Sequence, residues 1–191
     1  ELKLYIFIAL ASMIIIAINI MPMHGNSFLT SLRYSSFQVS TIMTTTGYAT
    51  TDFALWPTLS KVILITLMVI GASAGSTGGG IKVSRLLILF KAAKKEISMI
   101  IHPRRVQTVK VDGLEDRVLV NVLVFLCLYA AIAFVSIILI SIDGYDFETT
   151  ATAVLAALGN IGPGFSMVGP LGNFSIFSKF SKLILSFCML A

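Results

Sequence analysis

The sequence predicts an all-α membrane protein made of repeated span, pore helix, span units. Three observations predict it. Of 191 residues, 57% are hydrophobic and 12% charged, against about 25% charged in an ordinary soluble domain, and the mean hydropathy is +0.94. Two uncharged apolar runs are each long enough to cross a bilayer. Each is followed by a shorter, more polar segment that ends in a glycine turn, and the two turn glycines, Gly47 and Gly162, lie 115 residues apart, a period that marks an internal repeat.

Leu4 to Met21 is the first run, 18 residues whose polar members are Ser12 and Asn19, and Pro22 and Gly25 end it. It lacks the basic n-region and small-x-small site of a signal peptide. Ser27 to Met43 is too short and too polar to cross, and it leads into Thr44-Thr45-Thr46-Gly47-Tyr48. Thr58 to Ile70 follows with 13 residues, about 20 Å of helix against a slab of about 30 Å. It runs into GASAGSTGGG at 71–80, after which Ile81 to Phe90 resumes a helical pattern with Lys82 and Arg85 in its first turns. Taken straight, Thr58 to Phe90 would be about 50 Å long. A span broken at membrane depth satisfies both lengths, and such backbone is tolerated only where it is buried in protein or lines a wet cavity. The loop therefore faces a pore or a binding site.

Val118 to Ile142 is the second long run, 25 residues interrupted by Asn121, Ser136 and Ser141, and Asp143-Gly144 closes it. Phe147 to Leu158 is the second short helix, with Glu148, Thr149 and Thr150 at its start, and it leads into Gly159-Asn160-Ile161-Gly162-Pro163-Gly164. The chain thus divides into a first unit over 1–100 and a second over 101–191. It begins at Glu1, not Met, and its last apolar run, Leu183 to Ala191, has nine residues, so it reads as a piece of a longer protein.

The net charge of +5 is local, because nine of the 14 cations fall between Lys82 and Arg117. That pattern fits one basic membrane face and argues against nucleic acid as a partner. By the positive-inside rule the connection holding Lys91, Lys94, Lys95, Arg104, Arg105 and Lys110 is cytoplasmic, and the short helices dip in from outside. Lys61, Lys179 and Lys182 sit where they can snorkel to the outer interface. Asp52, Asp143, Asp146 and Glu148 form a solvated outer face, Asn19 and Asn121 are placed to hydrogen-bond between helices, and His102-Pro103 marks a cytoplasmic turn. Cys127 and Cys188 lie in apolar runs and imply neither a disulfide framework nor a metal site.

A re-entrant helix followed by an extended turn presents backbone carbonyls to a central axis, which is how potassium filters replace the ion's water without fixed charge. Glycine lets the backbone adopt a positive φ there. Two such turns in a repeated architecture favour a filter over a simple helix cap. Enzyme chemistry is the rival: Gly71 to Gly75 matches G-x-S-x-G, the nucleophile-elbow pattern that intramembrane serine hydrolases share, with Ser73 as nucleophile. That chemistry needs a general base, and the two histidines, His24 and His102, lie outside the spans. A P-loop is excluded because Ile81 intervenes between Gly80 and Lys82.

These residues resemble a known group. Thr45-Thr46-Gly47-Tyr48, the stretch Gly71 to Lys82, and Asn160-Ile161-Gly162-Pro163-Gly164 are similar to the third filter, intramembrane gate loop and fourth filter of the TrkH/KtrB/HKT potassium-transporter superfamily. Ile101-His102-Pro103 and Asp116-Arg117-Val118-Leu119 make the chain most like TrkH. The resemblance implies four units around one pore, of which these are the last two. It implies K⁺ held by Thr45, Thr46, Gly47 and Tyr48 from one quadrant and by Asn160, Ile161, Gly162 and Pro163 from another; the second turn departs from the Thr-Thr-Gly pattern. It implies a gate loop containing Gly71, Gly75, Ser76, Thr77, Gly78, Gly79 and Gly80, with Lys82 repelling cations. It also implies a multi-pass protein of the cell (inner) membrane, a homodimer, and a cytosolic nucleotide-binding subunit of the TrkA/KtrA kind, for which the basic Lys91 to Lys110 face is a docking surface.

Overall fold

The computed structural model describes residues 1–73, 75, 76, 78–101 and 116–190. The predicted turn at His102 and Pro103, with Arg104, Arg105, Lys110 and Thr77, lies outside them. Seven α-helices follow in chain order: α1 (Leu2–Ile20), α2 (Phe28–Met43), α3 (Thr58–Val69), α4 (Val83–Ile101), α5 (Asp116–Ile140), α6 (Phe147–Leu158) and α7 (Lys179–Leu190). Among the described residues, the Ile70–Ile81 bridge is the one piece of β-pairing.

Local chemistry sets the ends of these helices. Short 3₁₀ turns extend α1 and α5, and each closes on a left-handed glycine, Gly25 at φ 61° and Gly144 at φ 79°, the backbone that glycine adopts without penalty. Ser27 caps α2 and Asp146 caps α6 through their side-chain oxygens. The apolar pattern resumes at Ile81, but α4 starts two residues later, at Val83. Ile81 cannot join it because its N–H donates to the Val69 carbonyl and its own carbonyl accepts from Gly71 N, both at 2.9 Å.

α1, α2 and α3 pack together, as do α5, α6 and α7; the two groups meet through α3 with α6, and α4 packs on α5. Ser31 and Ser35 of α2 are fully buried; small side chains of this kind let helix backbones approach closely in a membrane. One polar bond ties the long span to the last helix in each group, Ser60 Oγ to Asn19 Oδ1 at 2.7 Å and Ser136 Oγ with Cys188 Sγ at 3.1 Å. Asn121 is exposed on α5. α1 and α5, with their following turns, are long and apolar enough to cross a membrane. They show Phe7, Leu10, Val124 and Phe134 on their outer faces, as lipid contact requires. The first group's core is completed from the second: Ile16, Val39, Ile42, Leu64 and Met68 enclose Ile161 and Phe165.

Candidate functional site

The two predicted turns are built by the same local device. Thr45 N–H donates to the Ile42 carbonyl at 3.1 Å and Thr46 N–H to the Thr41 carbonyl at 2.9 Å; Asn160 N–H donates to Ala157 at 3.1 Å and Ile161 N–H to Ala156 at 2.9 Å. This crossed pair of bonds is a Schellman end, which needs a left-handed residue just past the helix. Thr45 (φ 55°) and Asn160 (φ 51°) supply it, and two residues on, Gly47 (φ 81°) and Gly162 (φ 110°) turn the backbone again.

The turns also meet. A Cβ built on Gly47 would lie 2.0 Å from the Ile161 carbonyl oxygen, so only glycine fits at that contact. Thr46, Tyr48, Asn160 and Gly162 are exposed, Thr45, Gly47 and Pro163 half-buried, and Ile161 buried. α2 and α6 both end here, and a helix C-terminus carries about half a negative charge. Thr44 Oγ adds a hydroxyl network, donating to the Ser40 carbonyl at 2.7 Å and lying 2.8 Å from the Thr46 hydroxyl. The result is a cluster of neutral carbonyl and hydroxyl oxygens under a negative potential, a donor set suited to a hard monovalent cation stripped of water.

The chain leaving the second turn is fastened back onto α6. Phe165 N–H donates to Thr152 Oγ at 2.9 Å and Met167 N–H to Thr149 Oγ at 3.3 Å. Phe165 then meets Phe53 edge-on, with ring centroids 5.0 Å apart, across the junction of the two groups. Sequence reasoning read Thr149 only as part of a helix start and passed over Thr152; Thr149 three residues after Asp146 and Thr152 four after Glu148 are the cap and back-bonding patterns that mark them.

The glycine-rich loop lies against both turns. A Cβ on Gly79 would sit 2.6 Å from the Gly159 carbonyl oxygen, and one on Gly78 would sit 3.2 Å from Thr45 Oγ. Gly71 joins the Ile70–Ile81 closure, Gly78 N–H donates to Ser76 Oγ at 3.1 Å, and Lys82 Nζ reaches the Ser76 carbonyl at 2.9 Å. Gly75 faces open space. Ser73 Oγ donates to the Glu1 carboxylate at 3.1 Å. His24 stacks at 4.8 Å on Tyr34 beside the far end of α1.

The acids expected on a solvated outer face instead hold backbone. Asp52 accepts from Ala54 N–H, Asp143 from Ser178 N–H, and Asp146 from Thr149 N–H at 3.1 Å. The Thr149 hydroxyl and N–H hold the Asp146 carboxyl below the usual carboxylate range. Glu148 pairs with Lys61 at 3.1 Å, bridging α6 and α3, and Lys182 Nζ donates to the Ser175 carbonyl at 2.9 Å. Two of the three lysines expected to snorkel are thus held by protein oxygens.

Comparison with known proteins places the chain in a family. The family model for TrkH, described as a cation transport protein, matches residues 4–191. The Trk system potassium uptake protein TrkH of Salmonella typhimurium is 36% identical over 189 residues, covering 97% of this chain and 38% of that protein. The Trk system potassium uptake protein TrkG of Escherichia coli strain K12 is 35% identical, over 100% of this chain and 39% of that one. The crystal structure of the potassium transporter TrkH from Vibrio parahaemolyticus superposes with a TM-score of 0.87 at 34% identity, covering 98% of this chain and 40% of that one. The chain thus spans about two fifths of the length of the relatives it matches.

Proposed function

The chain belongs to the TrkH family of cation transport proteins, and on that premise we propose that its units 1–100 and 101–191 supply two of the four quadrants of a potassium pathway. The observation that carries the reading is the pair of turns with matching hydrogen bonds and alternating left-handed residues, in contact through Gly47 and the Ile161 carbonyl. Carbonyl oxygens of Thr45, Thr46, Gly47 and Tyr48 and of Asn160, Ile161, Gly162 and Pro163 take the place of water around K⁺. The C-termini of α2 and α6 offset the loss of hydration without a fixed charge that would trap the ion.

The loop over 71–80 obstructs the path beneath the filter. Its glycine backbone packs against Thr45 and Gly159, and the ammonium of Lys82, drawn to Ser76, sets a positive charge in the loop that opposes cation passage while it is seated. Opening requires the loop to withdraw from both turns. The whole protein is read as a multi-pass transporter of the cell (inner) membrane, a homodimer controlled by a cytosolic nucleotide-binding subunit of the TrkA/KtrA kind docked on the basic face that begins at Lys91.

Ion flux through the full-length protein in liposomes tests this. Replacing Gly47 by Val is expected to degrade K⁺ over Na⁺ selectivity, and shortening Gly75 to Gly80 to raise flux. A Gly47→Val protein that transports K⁺ with unchanged selectivity sinks the filter assignment.

A further inference from the structure

On α2, one turn above the filter, two buried polar side chains are left without partners. Gln38 is fully buried, and neither its amide nitrogen nor its amide oxygen has a hydrogen-bond partner among the described residues; Thr41 is 5% exposed and its hydroxyl is equally unpaired. An unsatisfied buried polar group costs about 1–3 kcal/mol, so their close company calls for an account. Residues three apart on a helix are neighbours on one face, yet neither Gln38 nor Thr41 bonds to the other, so a single bridging water can serve both. Amide oxygen, amide nitrogen and hydroxyl offer three contacts, within the two to four that a buried water makes.

At the two matching positions the second unit is apolar, although α6 carries one unpartnered buried hydroxyl of its own, at Thr150. The positions matching Gln38 and Thr41 across the 115-residue offset are Ala153 and Ala156, both buried in the apolar interior. The turns differ in the same sense. In the second unit the left-handed residue is Asn160, which tolerates that backbone, whereas in the first it is Thr45 at φ 55°, a β-branched residue for which such a φ is a genuine outlier. The Thr41 carbonyl is also the acceptor that closes the first turn, taking Thr46 N–H at 2.9 Å and Gly47 N–H at 3.4 Å.

We infer that Gln38 and Thr41 hold a buried water inside the first unit, and that this water braces the Thr41 end of α2 so that the strained Thr45–Gly47 turn keeps its ion-coordinating shape. Gln38 is thereby a positioning residue for selectivity. The inference rests on the filter reading above.

The test compares full-length Gln38→Leu, Thr41→Val and Gln38→Glu proteins for K⁺ over Na⁺ selectivity in liposomes, with Gly47→Val alongside. Gln38→Leu is expected to lower selectivity about tenfold with no fall in the thermal unfolding midpoint, since an apolar side chain suits the site as Ala153 does. Thr41→Val lowers it by less, and the double variant is no worse than Gln38→Leu, because both lose one water. Gln38→Glu retains selectivity at acid pH, where the neutral carboxyl keeps a donor and an acceptor, and loses it as pH rises. Wild-type selectivity in Gln38→Leu, or a pH-independent Gln38→Glu, overturns the water brace. If Gly47→Val alone destroys selectivity, the filter stands and only the brace is lost; if Gly47→Val is also silent, the filter reading itself has failed. A density map of the full-length protein with the Gln38 amide paired to protein and no water against it would likewise refute the proposal.

Discussion

The turn after α2 and the turn after α6 share a hydrogen-bond scheme to within 0.1 Å and differ in nearly every side chain. In the first, threonines surround Gly47, and its left-handed position is occupied by Thr45; in the second, Asn160 takes that position and donates to the Met189 carbonyl at the end of α7 at 3.1 Å. Gly47 is hemmed in by the Ile161 carbonyl, whereas a Cβ on Gly162 would meet open space. The difference teaches that backbone geometry, not side-chain identity, is what the two units have in common. Each unit reaches that geometry with its own balance of strain and support.

The comparison is most easily broken at Gly47. Gly47→Val combines a β-branched residue at φ 81° with a clash against backbone; strain alone of about 1–3 kcal/mol corresponds to about 5- to 150-fold in any step that needs the native turn. K⁺ uptake by the purified protein is the measurement. Gly162→Ala meets no neighbour but still places a Cβ at φ 110°, so a loss of about 1–2 kcal/mol, about 5- to 30-fold, is expected in the same assay. Equal losses at the two glycines would show that crowding at Gly47 is irrelevant.

Thr45→Asn makes the first turn chemically like the second. Relief of left-handed strain is expected to stabilise the fold by about 1 kcal/mol, read as a rise in unfolding midpoint. The smallest effect concerns the N-terminal ends of the short helices, where Asp146 caps α6 with a carboxylate and Ser27 caps α2 with a hydroxyl at a longer 3.5 Å. Asp146→Ala is expected to cost about 1 kcal/mol, more than Ser27→Ala does. Because the folded state holds the Asp146 carboxyl below its ordinary range, this contribution is present above the unfolded carboxylate pKa and is lost as pH falls through the lower, folded one. Thermal melts of both variants at neutral and strongly acid pH check the sign.

Much of this was legible in the residues. The bounds of α6 and the C-terminal end of α2 fall at the expected Leu158 and Met43, because each short helix runs from a capping residue to a turn and little else competes. The break at 71–80 followed from two lengths, Thr58 to Ile70 too short for a span and Thr58 to Phe90 too long. The functions of the outer acids were not legible, since a carboxylate that caps a helix and one that faces water look alike until its neighbours are known. Gln38 and Thr41 were passed over for a related reason: the sequence marks the segment only as too polar to cross, and only packing reveals that these two side chains are buried.

What the chain determines locally is where helices start, stop and fail to reach across the membrane, because hydropathy, rise per residue and the backbone chemistry of Gly and Pro act over a few neighbouring positions. What only the tertiary structure decides is which loop atoms touch. That Gly47 abuts the Ile161 carbonyl and Gly79 abuts Gly159 depends on the docking of units far apart in sequence. No local periodicity records such a contact; it exists only once α3 has packed against α6.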